Sequence, residues 1–120
     1  MTRILAVDDS TSMRQMVAFT LKAAGFDVVE AEDGKMALDL ASKEKFSLVL
    51  ADVNMPVMDG ITLVKNLRTM PDYKFTPLLM LTTESTPEKK MEGKSAGATG
   101  WLIKPFNPDQ LVTTIKRVLG

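Results

Sequence analysis

Residues 48–60 read LVLADVNMPVMDG, a buried-type aliphatic run that stops on Asp52 and turns at once into a loop carrying Pro56 and Gly60. A carboxylate at the end of an apolar strand is either incidental or a reaction centre. The rest of the chain decides which.

Working outward, the same strand-then-helix pattern occurs five times. RILAVDD (3–9) is a short aliphatic run ending in two acids. The segment that follows places Met13, Met16, Val17, Leu21 and Ala24 at helical spacing, with Gly25 as a stop. FDVVEA predicts a second strand and GKMALDLASKEK a second helix. FSLVLAD is the third strand, and 60–70 carries Ile61, Val64, Leu67 and Met70 at helical spacing. TPLLMLTT is the fourth strand and TGWLI the fifth. Between them, TPEKKMEGKSAG starts well on Thr86 and Pro87, but its apolar face is thin and Gly93 lies inside it. The last helix has Asn107 as its cap and Leu111, Val112, Ile115 and Val118 as its stripe. Alternation of this kind, with strands apolar on both faces, predicts an α/β domain with a parallel sheet covered by helices on both sides.

Bulk composition narrows the chemistry. The chain has 120 residues, enough for one domain with a real core. Cysteine is absent, so thiolate metal sites and disulfides are excluded. Fifteen basic and fifteen acidic residues cancel, which weighs against a dedicated nucleic-acid binder. No stretch is long and apolar enough for a signal peptide or a membrane span. Histidine is absent as well, which removes the commonest general base. Any reaction must use carboxylates, hydroxyls, lysines or a group brought by a partner.

In open parallel sheets, ligands bind beyond the carboxyl ends of the strands. Those ends carry Asp8 and Asp9, then Asp52, then Thr82 and Thr83, then Lys104 and Pro105. With a flavodoxin-like order 2-1-3-4-5 these side chains converge. Three carboxylates that close need a proton or a cation among them, and oxygen ligands alone favour magnesium. A carboxylate such as Asp52 can attack an activated phosphoryl group. Lys104 would give it a second positive contact and Thr82 a hydrogen bond. Each piece has a plainer reading on its own. Asp8 and Asp9 could cap the next helix, Thr82 could be an ordinary strand residue, Lys104 a solvated lysine, and Pro105 a turn residue with a cis or trans bond.

The paired acids in VDDS, the ADVNMPVMDG loop, the TTE after strand four and the KPF after strand five resemble the receiver domain of bacterial two-component response regulators. The resemblance covers 3–119, and NMPVMDG and EAEDG look close to the CheY chemotaxis branch. It implies a doubly wound (βα)5 flavodoxin-like domain over 1–120, with sheet order 2-1-3-4-5 and no output domain. It further implies that Asp52 accepts a phosphoryl group from a phosphohistidine on a CheA-like histidine kinase. Magnesium would be held by Asp9 directly, by Asp8 through water, by Asp52 and by the Asn54 backbone carbonyl. By the same resemblance, Lys104 contacts the phosphoryl group, Thr82 is the switch hydroxyl and Trp101 stands where the family has its rotating tyrosine or phenylalanine. Asn54 and Glu84 tune hydrolysis of the phosphate.

The implied protein is a cytoplasmic monomer that catalyses its own phosphorylation and dephosphorylation. It would signal through the strand-four, helix-four and strand-five face to a flagellar motor switch protein or a phosphatase, with no nucleic acid or membrane involved. Lys89, Lys90 and Lys94 depart from motor-binding relatives, which leaves a stand-alone receiver in another phosphorelay, or a phosphate sink, as the alternative. A flavin or nucleotide module is disfavoured because Asp8 and Asp9 precede the STSM segment (10–13) and no phosphate-loop pattern is present. An aspartyl phosphatase would need an acid where Asn54 stands.

Overall fold

The computed structural model describes residues 2–120. Five strands, β1 (Arg3–Val7), β2 (Asp27–Ala31), β3 (Leu48–Ala51), β4 (Leu78–Thr82) and β5 (Gly100–Ile103), form one parallel sheet in the order β2-β1-β3-β4-β5. Five helices connect and follow them: α1 (Thr11–Ala23), α2 (Gly34–Lys43), α3 (Gly60–Arg68), α4 (Pro87–Ala96) and α5 (Pro108–Leu119). The doubly wound order is the one expected. None of these helices is long and apolar enough to cross a membrane.

Each helix starts on a side chain that accepts a hydrogen bond from the backbone three residues on. Ser10, Asp33, Asp59, Thr86 and Asn107 accept from the N–H groups of Met13, Met36, Thr62, Lys89 and Gln110. Such caps satisfy donors that the helix itself leaves free. The strands then divide their side chains between two cores by the period of two. Leu5, Val7, Val49, Ala51, Leu78 and Met80 face α2 and α3. Ile4, Ala6, Leu48, Leu50, Leu79 and Leu81 face α1 and α5. Because both faces are covered, neither can carry polar residues, and the strands read as continuous apolar runs.

Between α3 and β4 the sequence pattern continued the helix to residue 70. The structure ends it at Arg68, with Thr69 as the cap, and inserts a 3-10 turn, Pro71–Tyr73. Tyr73 is fully buried there. Its hydroxyl lies 3.0 Å from the Ala41 carbonyl and 2.8 Å from the Glu44 carbonyl as donor, and accepts from Phe46 N–H at 3.3 Å. Burial also raises its pKa above the usual tyrosine value. Tyr73→Phe keeps the ring and strands these groups at the end of α2, so urea unfolding should show a loss of about 1–3 kcal/mol with an unchanged slope.

Arg68 closes the same end of the sheet. Its guanidinium donates to the carbonyls of Gly97 (2.9 Å), Tyr73 (2.7 Å), Thr76 (2.8 Å) and Lys74 (3.3 Å), and to Thr99 Oγ1 (3.3 Å). Burial lowers its pKa from the usual arginine value. Its hydrogen bonds join the end of α3, the segment before β4 and the turn between α4 and β5.

Candidate active site

Sheet register brings the acids together. Val7 pairs with Ala51, so Asp8 and Asp52 leave adjacent strands at the same level, with Asp52 N–H donating to the Val7 carbonyl at 3.0 Å. Two strands away, Thr82 pairs with Ile103, which puts Lys104 just beyond the sheet. Lys104 Nζ then reaches back to donate to Asp8 Oδ2 at 2.7 Å and Asp52 Oδ2 at 2.8 Å. The lysine, Asp8 and Asp52 side chains are only 10 %, 7 % and 12 % exposed. Burial pulls the lysine pKa down, but hydrogen bonds and charge from Asp52 and Asp8 outweigh it, and the net shift is upward. The ammonium is thus held charged.

Asp9 completes the cluster from the surface. Asp8, Asp9 and Asp52 each offer a carboxylate oxygen, and these oxygens lie within 4.8 Å of one another. Three acids against one ammonium leave excess negative charge, and the donors are all hard oxygens. That set suits a hard divalent cation such as magnesium. The capping role is separate: Ser10 caps α1, while Asp8 Oδ1 accepts from Ser10 N–H at 2.9 Å and turns the chain into the helix.

The loop after Asp52 is tightly folded. Asp52 Oδ1 accepts from the N–H of Val53 at 2.7 Å, and Gly60 N–H donates to the Val53 carbonyl at 2.9 Å. Gly60 lies so near the Asp52 carbonyl that a side chain there has no room. Between them Val57 holds a φ of 69°, and Met58 N–H closes a turn onto the Pro56 carbonyl at 2.7 Å. A β-branched residue in the left-handed region is strained. Val57 is exposed and makes little packing to offset that. Val57→Gly should therefore raise stability by roughly 0.5–1 kcal/mol, read as a higher urea midpoint.

Thr82 is fully buried at the end of β4. Its Oγ1 accepts from Glu84 N–H at 3.2 Å, and no hydrogen bond joins it to Asp52 among the described residues. Asn54 is exposed, and its side-chain amide donates to Glu84 Oε2 at 3.1 Å. Trp101 donates its indole N–H to the Glu84 carbonyl at 2.9 Å. Of the four residues expected to switch or tune the site, Thr82, Asn54 and Trp101 therefore meet on the fourth, Glu84, through its N–H, its carboxylate and its carbonyl. The Lys104–Pro105 bond is cis.

Arg14 is a neighbour that the sequence did not announce. It donates to the Asp8 carbonyl at 2.7 Å and to Glu30 at 3.1 Å. A basic residue in the first turns of a helix carries no distinguishing pattern.

The chain is similar in sequence and fold to known proteins. A family model described as "Response regulator receiver domain" matches residues 4–116. The chemotaxis protein CheY-3 of Vibrio cholerae is 39 % identical over 117 residues, which is 97 % of this chain and 90 % of that protein. The crystallised chemotaxis protein CheY4 of Vibrio cholerae is 58 % identical, with a TM-score of 0.95 and 98 % of each chain covered. The receiver domain of the sensor histidine kinase PA1611 from Pseudomonas aeruginosa, described with a magnesium ion coordinated in its active site cleft, is 25 % identical. Its TM-score is 0.93, over 99 % of this chain and 98 % of that one.

Proposed function

Since the chain belongs to the response regulator receiver domain family, we propose that it is a phospho-accepting switch in which Asp52 takes a phosphoryl group from a histidine kinase of a chemotaxis pathway. The observation that carries this is the Lys104 ammonium seated between Asp8 and Asp52, with Asp9 beside them. In this reading an Asp52 carboxylate oxygen attacks phosphorus, a P–O bond forms, the P–N bond breaks, and the electron pair stays with the departing imidazole of the kinase. The chain supplies the nucleophile and the partner supplies the histidine that the chain lacks.

Asp8, Asp9, Asp52 and the Asn54 backbone carbonyl would hold magnesium, which supplies positive charge to the phosphoryl oxygens. Support comes from the donor chemistry here and from the magnesium described for the PA1611 receiver domain. Lys104 stabilises Asp52 beforehand and is within reach of a phosphoryl oxygen afterwards. The Thr82 hydroxyl can donate to another oxygen, and that turn would carry Glu84, its N–H partner, with it. Asn54 and Glu84, bonded to each other at the mouth of the site, are placed to govern access of water. Self-catalysed phosphorylation and dephosphorylation follow from these roles.

Signal would leave through the face formed by β4, α4 and β5. Trp101 lines a hollow of about 260 Å³ with Lys90 and Lys94 and another of about 290 Å³ with Pro105, Phe106 and Gln110. A flagellar motor switch protein or a phosphatase is the expected partner there. The lysines along α4 support a second reading, in which a stand-alone receiver serves another phosphorelay or acts as a phosphate sink. A single cytoplasmic, monomeric receiver domain over 1–120, binding neither nucleic acid nor membrane, completes the proposal.

Intact mass after incubation with acetyl phosphate and magnesium tests it. One phosphoryl group, labile to alkali and to hydroxylamine, should appear, and chelating the magnesium should prevent it. An unmodified chain, with magnesium binding verified by titration, would sink the proposal.

A further inference from the structure

Helix α4 is nearly all exposed, and of its ten residues Gly93 alone is buried. Glycine is unfavourable in a helix interior relative to alanine, so its presence at the one buried position needs a cause. The cause is Trp101. A Cβ on Gly93 would stand 2.5 Å from Trp101 Cζ3 and 3.0 Å from Cε3, closer than carbon atoms approach without displacement. The six-membered ring of the indole fills the space that any other residue would need. The opposite edge of the same indole donates its N–H to the Glu84 carbonyl at 2.9 Å. Glu84 N–H in turn donates to Thr82 Oγ1 at 3.2 Å.

One rigid ring is thereby held at both edges, by the loop that follows the switch hydroxyl and by the helix that forms part of the output face. We propose that Gly93 is a positioning residue. It seats Trp101 against α4, so that the orientation of the indole and the placement of the helix change together. The inference rests on the receiver reading for its link to phosphorylation, and on geometry alone for the seat. It assigns to a glycine the adjustment that a bulkier aromatic requires: a larger ring at the head of β5 is matched by a missing side chain on α4. It also makes the indole N–H, which tyrosine and phenylalanine lack, the tie to the loop.

A sign reversal tests the seat. Helix propensity by itself makes Gly93→Ala stabilising. In the wild-type background the methyl group displaces the indole, and the thermal midpoint should fall by about 3–6 °C. In a Trp101→Val background the space is open, and the same substitution should raise the midpoint. A rise of equal size in both backgrounds overturns the seat.

The functional arm uses the single tryptophan of the chain. Phosphorylation by acetyl phosphate and magnesium, followed by intact mass, should be equal in wild type and Gly93→Ala, because Gly93 touches none of the reacting groups. Trp101 emission should shift on phosphorylation in wild type. In Gly93→Ala it should start red-shifted and lose that response. A wild-type-like response in phosphorylated Gly93→Ala overturns the coupling. Absence of phosphorylation in both proteins would instead overturn the receiver reading, and the midpoints would still decide the seat.

Discussion

Asp52→Asn, given acetyl phosphate and magnesium, should gain no phosphoryl group, with acceptance falling by on the order of 10⁴-fold or more, as for removal of a nucleophile elsewhere. The amide keeps the shape of the carboxylate and loses its nucleophilic charge. Neither neighbouring acid can take over. Asp8 is buried, whereas Asp52 is only partly so. Asp9 is exposed, and no salt bridge joins it among the described residues. The loss would not reflect unfolding. An asparagine oxygen can still accept from Lys104, and one like charge leaves a crowded cluster, so stability should hold or rise by up to about 1 kcal/mol. Intact mass and urea unfolding of the same preparation check both halves. Labelling that persists in the variant would move the acceptor elsewhere, whereas a large loss of stability would make the result uninformative about chemistry and point to a structural role for Asp52.

Lys104→Met should have the largest effect on stability of any single change at the site. It leaves two nearly buried carboxylates facing each other with no cation between them, and breaking a buried pair from one side costs about 3–5 kcal/mol. Magnesium should restore much of this, because the ion no longer competes with the ammonium. At a hundredfold excess over its dissociation constant, a ligand specific to the folded state contributes about 2.7 kcal/mol. Phosphoryl acceptance should still fall by about 10²–10³-fold, since the charge facing the transferred oxygens is gone.

In the wild type the lysine pKa is raised in the folded state. Its contribution is therefore fully present below the usual lysine value of 10.5 and disappears only as pH rises through the higher folded value. The variant should lack that alkaline loss. Equal unfolding midpoints for wild type and variant, with and without magnesium, would show that the ammonium does not hold the cluster together.

Much of this was legible in the sequence because a doubly wound sheet imposes strong local demands. Strands buried on both faces must be apolar throughout, as in Leu48–Ala51, so a polar residue at the end of one stands out. Caps are short-range and carry recognisable residue types, as Thr86 with Pro87 and Asn107 with Pro108 illustrate. Lys104 lies 96 residues from Asp8, and only the strand order makes them neighbours.

What the sequence concealed are contacts whose partners are backbone or empty space. Arg68 spends all but one of its hydrogen bonds on carbonyls, which every residue has. Tyr73 does the same from inside a short turn to which the sequence pattern assigned no element. Gly93 read as slack in a thinly packed helix, because a glycine does not state which ring lies over it. The packing of α4 is indeed thin, but the glycine is where Trp101 lies against it.

The Arg68 clasp gives α4 unequal ends. The carbonyl of Gly97, which caps its C-terminus, is tied to Arg68. Its N-terminus follows the loop through Glu84, whose partners are the groups that phosphorylation would rearrange. Mechanically the helix is a lever with its fulcrum at Arg68. Ten residues give it an arm of about 15 Å, so a shift of about 2 Å at the free end, ordinary for helices in switching proteins, is a tilt of about 8°. Travel is greatest at Pro87 and Glu88, stays large at Lys89 to Met91, and fades toward Lys94 and Ser95. A partner that grips the first turns of α4 would feel the stroke, and one that grips the last turn would not.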